Sequence, residues 1–372
     1  MSSILKHRRT YLRLMREFTR EKGFFFVTDI QRSAGIPRTT AQDWVNRLVT
    51  EGCVIVRDEK HGRKPARYAA ISAMQFGTCR RIFTTVDGDL VEVIHDCISG
   101  GCAAFCSHHH ARAGGALVRV EQEGTLIRER GILGKPGVDV GLPPLPAVGV
   151  AGIERRGGEI VQHIRCIGGP AYSLSDMMAR AEGVTGVKSR TYRGIVRGEV
   201  RTRALSHITL GIDDTDSRDE GATFALALAL LENLRRIPGI IPIGHHIVML
   251  NPAIFQKTAG NSASYIELAA PPDSFGPLVA RASAFLADES VSPEWGLAAR
   301  AGLDPPEGLR DYGIRVRSDV VSRTVAEATA ERFSVTLQGG HGVIGALGAV
   351  ALAGLPDTVL LNPGYPVPEL QN

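Results

Sequence analysis

Apolar residues recur at helical spacing through the first fifty positions. Ile4, Leu5, Tyr11, Leu12, Leu14, Met15 and Phe18 trace one face of a helix over residues 4–22, which Gly23 closes. A short apolar stretch, Phe24 to Val27, leads to Thr28–Asp29, and this predicts a second helix ending at Ala34–Gly35. Pro37 opens a third, where its missing N–H costs nothing. In that helix Ala41, Trp44, Val45, Leu48 and Val49 share a face, while Arg38, Thr39, Gln42, Asp43, Asn46 and Arg47 lie away from it. Gly52 ends the helix. Cys53–Arg57 and Pro65–Ile71 then predict a hairpin with a charged tip at Asp58–Lys64.

Three helices and a basic hairpin resemble the winged helix-turn-helix superfamily over residues 4–72. The resemblance implies a third helix in the major groove and a wing on the backbone. The residue types suit that role. Arg38, Thr39, Thr40 and Gln42 can hydrogen-bond base edges, and Arg63 and Lys64 can meet phosphates. Residues 1–70 hold 15 Lys and Arg against 7 Asp and Glu, a surplus of eight positive charges in a chain of net +4. The remainder therefore carries net −4, and a basic end on an acidic body points to a polyanionic partner, DNA or tRNA. Arginine richness alone says little, because the chain uses 36 Arg and only 7 Lys throughout. Winged helices also dock proteins or dimerise, so a homodimer stays open.

Residues 73–200 predict strands at Leu90–Ile94, Leu117–Val120 and Ile160–Ile164, a short helix at Ser173–Glu182 and a proline-rich loop over Pro136–Pro146. Cys97, Cys102 and Cys106 lie within ten residues and precede His108, His109 and His110. Cys97, Cys102, Cys106 and His108 could hold Zn2+, and the thiolates an Fe–S cluster. C-x4-C-x3-C matches no standard ligand spacing. Buried reduced thiols and a redox-sensing thiol pair are the other readings.

The strongest chemical signal follows Ser206. His207–Ile212 is an apolar strand that runs into Asp213-Asp-Thr-Asp-Ser217, and a largely apolar helix begins near Thr223. Three carboxylates within four residues repel one another, and core packing gives no reason for them. A hard cation does: Mg2+ takes oxygen ligands and usually brings a nucleotide phosphate. Gly221 and Thr223 open a helix whose N-terminus favours phosphate. The alternative, an Asx-rich turn that caps the helix, accounts for one aspartate and not three. Lys257, the last lysine of the chain, lies in Gln256-Lys-Thr-Ala-Gly-Asn261, and Gln338-Gly-Gly-His-Gly342-Val-Ile-Gly345 lets backbone approach a ligand. Glu267 reads as an outward-alternating strand residue, and His245–His246 as satisfied strand-end histidines.

These three pieces together resemble the catalytic kinase-like domain of the archaeal isoleucine-tRNA agmatinylcytidine synthetase family. They are Gly211-Ile-Asp-Asp-Thr-Asp-Ser217, Lys257-Thr-Ala-Gly-Asn261 and Gly342-Val-Ile-Gly-Ala-Leu347, and the likeness covers about residues 205–364. Glu220-Gly-Ala-Thr223 is similar, less closely, to a methanogenesis marker protein. The resemblance implies ATP and Mg2+ and activation of a tRNA cytidine by phosphoryl transfer. It would make Asp213, Asp214, Asp216 and Lys257 catalytic, the three aspartates also holding the metal. Gly211, Thr215, Ser217, Gly221, Thr223, Thr258, Asn261 and Gly342 would contact the nucleotide. The family's OB-fold and zinc-ribbon parts have no counterpart here, so agmatine transfer does not carry over.

The sequence thus predicts a multidomain α/β and α+β chain: a winged helix (residues 1–72), an α+β domain with the Cys/His cluster (73–200) and an α/β ATP-binding domain with a mixed sheet (201–372). Its 372 residues are 44% apolar and 22% charged, which excludes disorder as the main state. Six cysteines are too few for a disulfide framework, and no segment predicts a membrane span, so a cytoplasmic location is expected. Two functions fit. One is an ATP- and Mg-dependent transferase of phosphoryl or adenylyl groups. The other is a DNA-binding regulator sensing nucleotide or thiol state.

Overall fold

The computed structural model describes residues 3–62, 64–74, 78–167, 174–254 and 260–367. The chain forms two compact units, Met1–Gly77 and Thr78–Asn372.

The first unit holds α1 (Ser3–Lys22), α2 (Val27–Ala34), α3 (Arg38–Thr50), β1 (Val54–Asp58) and β2 (Arg67–Ala70). Asp29 starts α2 by accepting the Phe26 N–H at 2.9 Å, and Gly35, at φ +63°, ends it. The helices bury Tyr11, Leu12, Met15, Ile30, Ala41, Val45 and Leu48 in one core. Strands β1 and β2 pair antiparallel, Val54 opposite Ala70, and the Phe25 backbone adds a bridge to Tyr68. Three helices and a two-stranded hairpin are the elements the apolar pattern predicts.

The second unit runs β3 (Cys79–Asp87), β4 (Leu90–Cys97), α4 (Gly100–Ala113), β5 (Leu117–Glu123), β6 (Leu126–Ile132), β7 (Val148–Arg156), β8 (Glu159–Ile167), α5 (Leu174–Met178), β9 (Val184–Tyr192) and β10 (Ile195–Asp213). It continues with α6 (Thr223–Leu234), β11 (Ile241–Met249), β12 (Ser262–Ala270), α7 (Phe275–Glu289), β13 (Gly296–Ala301), α8 (Glu307–Arg315), α9 (Arg323–Arg332), β14 (Thr336–Gly339), α10 (Val343–Ala351) and α11 (Asp357–Leu360).

The 19-residue strand β10 organises this unit. Its first half lies between β8 and β9, with Val196 opposite both Cys166 and Thr191. Ala204 and Leu205 pair parallel with Thr84 and Thr85 of β3. Ser206–Asp213 then lies between β12 and β13, with Leu210 opposite both Ile266 and Ala299. The result is a mixed α/β unit with one large mixed sheet of twelve strands. The boundary expected at 200/201 falls inside β10.

Along the second half of β10 the side chains alternate. Ile208, Leu210 and Ile212 pack under α6 and α7 with Leu230, Leu278 and Leu286. Residues 207, 209, 211 and 213 face the other way, Gly211 and Asp213 against α10 and His207 toward Glu267. A Cβ on Gly211 would meet the Ala346 carbonyl oxygen at 2.0 Å, so glycine lets α10 lie on the strand. Glu267 is on a strand as expected, but it points inward and is 2% exposed. Arg128 of β6 donates to its Oε1 at 3.1 Å and to its Oε2 at 2.5 Å. His207 and His246 also face it, at 3.1 and 3.3 Å. The two histidines expected at a strand end lie within β11. His246 is satisfied by Glu267 and Asp357, whereas the buried Nε2 of His245 has no hydrogen-bond partner among the described residues. No described helix is long and apolar enough to cross a membrane.

Candidate functional site

The acidic loop begins where β10 stops. Asp213 still pairs with Gly296 of β13 and is 7% exposed. Asp214 turns the chain at φ +52°, a left-handed conformation that aspartate tolerates better than most residues. Thr215 is buried and anchors the loop. Its carbonyl accepts the N–H groups of Val291 at 3.0 Å and Ser292 at 3.3 Å. Its own N–H and hydroxyl reach Thr223 Oγ1 at 3.3 and 3.2 Å, tying the loop to the first residue of α6. Ser217 Oγ accepts from the N–H groups of Asp219 and Glu220, and Gly221 follows at φ +88°, packed on Asp216. No aspartate caps α6, because its N-cap is Ala222 without a side-chain hydrogen bond. The capping alternative is therefore not what the three carboxylates do.

A second loop closes over the first. Glu294 accepts the N–H of His341 on Oε2 at 2.9 Å and that of Gly342 on its carbonyl at 2.8 Å. The first turn of α10 then lies directly on Asp213. A Cβ on Gly345 would fall 1.7 Å from Asp213 Oδ2, and one on Gly342 would meet the Asp213 carbonyl at 2.7 Å.

The electrostatics follow from this enclosure. Burial pushes the Asp213 carboxyl well above the ordinary range, and Asp214 and Asp216 add repulsion, against one backbone hydrogen bond from Asp214. Desolvation also raises Asp214, with further repulsion from Asp216 and Glu294, and only His341 acts in the opposite sense. Among the described residues the pocket is thus acidic without a matching cation.

Among those residues no group of three or more His, Cys, Asp or Glu is arranged to hold a metal ion. The three aspartates accordingly form no ready-made cage, because Asp213 is sealed under α10 while Asp214 turns outward. Mg2+ does not require a cage: it commonly takes one or two carboxylates, keeps waters and shares the phosphates of its substrate. An excess of carboxylate at a strand end fits such an ion.

Residues 209–273 match the family model for the TiaS TCKD domain. That span contains the acidic loop and strand β12. An uncharacterized protein of Methanocaldococcus jannaschii is 28% identical over 45% of this chain and 56% of its own. The tRNA 2-agmatinylcytidine synthetase TiaS of Methanocorpusculum labreanum is 30% identical over 42% of this chain and 37% of its own. The chain therefore spans about half of the first relative and little more than a third of the second. The second unit is thus distantly related to TiaS over roughly two fifths of the chain. The crystal structure of TiaS in complex with its tRNA and ATP is 28% identical over 39% of this chain and 36% of that one, at a TM-score of 0.35.

Gly211 and Gly342 are buried against α10 and β13, where they permit close packing. Asn261 donates to the Asn251 carbonyl at 2.8 Å and so supports the turn after β11. Lys257 and Thr258 lie outside the described residues, as does Arg63. Sequence reasoning missed Glu294, for which no signal existed; Gly345, read as a glycine that admits backbone to a ligand, instead lets α10 lie on Asp213.

The thiol cluster differs from expectation. Cys97 and Cys106 are buried, Cys102 is half-buried and His108 is exposed. The expected set of Cys97, Cys102, Cys106 and His108 therefore does not converge on a Zn2+ or Fe–S site, since the helical spacing of α4 turns His108 outward. Residues the pattern did not single out take its place. Cys79 faces Cys97 across β3 and β4. Glu129, fully buried, lies between His95 at 3.3 Å and His110 at 2.5 Å. Burial opposes charge on His95, but Glu129 and Cys79 outweigh it and lift its pKa to about 10. A hydrogen bond from Cys97, with help from His95, lowers the Cys79 thiol.

In the first unit Arg38, Thr39 and Lys64 are exposed and Thr40 is half-buried. Gln42 is engaged within the unit, by Asn46 at 2.9 Å and Tyr68 at 3.5 Å.

Proposed function

We propose that the second unit binds ATP with Mg2+ at the 213–217 loop and transfers a phosphoryl or adenylyl group to a nucleic-acid acceptor, tRNA first, held through residues 1–72. The observation that carries this reading is the run of carboxylates at the end of β10, Asp213 buried under α10 and Asp214 exposed beside it, without a matching cation among the described residues and within the span that matches the TiaS TCKD model. Asp213, Asp214 and Asp216 would hold the ion. Thr215, Ser217, Gly221, Thr223, Asn261 and Gly342 would shape the nucleotide contact, with Gly211 admitting α10 and Lys257 and Thr258 meeting phosphate. Bound Mg2+ neutralises phosphate charge as it develops, which is most of what phosphoryl transfer asks of a protein. The chain's part is placement. Thr215 and Thr223 lock the loop, and α10 excludes water from Asp213.

The test is calorimetric titration of Mg–ATP, followed by product analysis with bulk tRNA. Binding, with ADP or AMP released only when tRNA is present, supports the proposal. No heat in wild type, or the same heat in D213N/D214N, overturns it.

A second reading is a DNA-binding regulator whose nucleotide site only senses. The exposed Arg38, Thr39 and Lys64 favour it. Tight, salt-sensitive duplex binding without turnover would select it over the first.

A further inference from the structure

We propose that Cys79 and Cys97 are a reversible dithiol–disulfide couple, oxidised by hydrogen peroxide, that cross-links the first strand of the second unit to its neighbour. The geometry that points to it is the strand register. Cys79 and Cys97 are directly opposed in an antiparallel pair, and the Ile98 N–H donates to the Thr78 carbonyl at 2.9 Å. That bond makes 79/97 a non-hydrogen-bonded pair, the kind in which side chains approach most closely, with Cα atoms about 4.5 Å apart. Disulfides span Cα separations of about 4.4–6.8 Å, so the bond can form without moving a strand. A register shift between residues 79 and 81 bends β3 here and leaves Cys79 on the same face as His95 and Cys97.

The surroundings supply the chemistry. Cys79 and Cys97 are both buried, and the neighbouring Cys97 and His95 lower the Cys79 thiol and so favour its thiolate. His95 is backed by the buried Glu129, which His110 also holds. The Cys79 thiol, the His95 imidazole and the Glu129 carboxylate are buried beside an apolar cluster, where polar groups are costly and packing does not call for them.

The step balances as follows. The Cys79 thiolate attacks one oxygen of hydrogen peroxide. An S–O bond forms, the O–O bond breaks, and the departing hydroxide takes a proton from the His95 imidazolium and leaves as water. The sulfur is oxidised to a sulfenic acid and the peroxide is reduced. The Cys97 sulfur then attacks Cys79. The S–S bond forms, the S–O bond breaks, and hydroxide leaves with the Cys97 proton as a second water. A thiol reductant reverses the couple.

The test uses the full-length, folded protein with hydrogen peroxide near stoichiometry, alkylation of the remaining thiols, and peptide mapping. Loss of two of the six alkylatable thiols, with a Cys79–Cys97 linked peptide that dithiothreitol removes, is the expected result. In C97S the Cys79 sulfenic acid should instead be trapped by dimedone, and in C79S Cys97 should stay reduced. Wild-type mapping alone decides the matter if either variant folds poorly. A link mapping to Cys102–Cys106, oxidation of Cys102 while Cys79 stays reduced, or a Cys79–Cys97 link formed only in urea would overturn the proposal.

Discussion

Gly345 offers the sharpest test of the site, because its side chain is missing for a reason that can be measured. An alanine methyl there would fall 1.7 Å from Asp213 Oδ2, half of the 3.4 Å at which ordinary contact begins. It would also press on Leu250 Cδ1 at 2.8 Å. Neither side can easily yield. Asp213 ends a strand paired on both edges, and α10 is buried along most of its length. Overpacking of this kind costs about 1–3 kcal/mol. For a unit of this size that is a fall of several degrees in Tm, at roughly 2–4 °C per kcal/mol. The strain also has a direction, since the carboxylate must swing out from under the helix. G345A should therefore unfold earlier and lose Mg–ATP binding at least tenfold. As a control, I344A changes the same turn without adding a group against Asp213, and it should lower Tm while leaving the nucleotide affinity near wild type. The assay is a thermal melt with and without Mg–ATP, paired with calorimetry. If G345A keeps both its Tm and its affinity, the contact between α10 and Asp213 does not govern the site, and the enclosure argument fails.

Three further outcomes follow from the buried charges and the wing. Asp213 is an acid whose folded pKa is raised, so its contribution is favourable below the ordinary carboxyl value and is lost as pH climbs through the raised one. Metal-free wild type should therefore lose stability with rising pH where D213N does not, and a Mg2+–nucleotide complex should restore it in wild type only. A flat difference between the two pH–stability curves would contradict this. Glu267 has the opposite sign: its pKa is depressed by Arg128 and the two histidines against the cost of burial. Its stabilisation is complete above the ordinary glutamate value and is lost as pH falls through the depressed one. E267Q should cost up to about 3–5 kcal/mol near neutral pH by removing the charge that Arg128 pairs with bidentately, Glu92 at 3.7 Å remaining as its more distant partner, and urea melts at pH 7 would read it. K64A should weaken binding to tRNA or duplex across sequences and reduce the salt slope by about one, whereas R38A should weaken it and relax sequence preference. An unchanged slope would place nucleic acid elsewhere.

What was legible in the sequence was whatever depends on local period. The three helices of the first unit follow from i, i+3, i+4 spacing, and its hairpin from two apolar runs around a charged turn. The acidic loop follows from a run of carboxylates that no core requires. What was hidden depends on register between distant strands. Cys79 stands eighteen residues before Cys97, and nothing in its neighbourhood marks it. Only the pairing of β3 with β4 makes the two cysteines opposite numbers. Glu267 looked like an outward strand position because alternation gives two faces without saying which is covered. The deciding partner, Arg128, lies 139 residues away on β6. The boundary at 200/201 had the same cause. β10 continues through it, so one strand carries the hydrogen bonds of the thiol-bearing half and ends in the carboxylates of the other. Ala204 and Leu205 of β10 pair with Thr84 and Thr85 of β3, five and six residues beyond Cys79 on the same strand. Backbone pairing therefore connects the strand that carries Cys79 directly to the strand that presents Asp213.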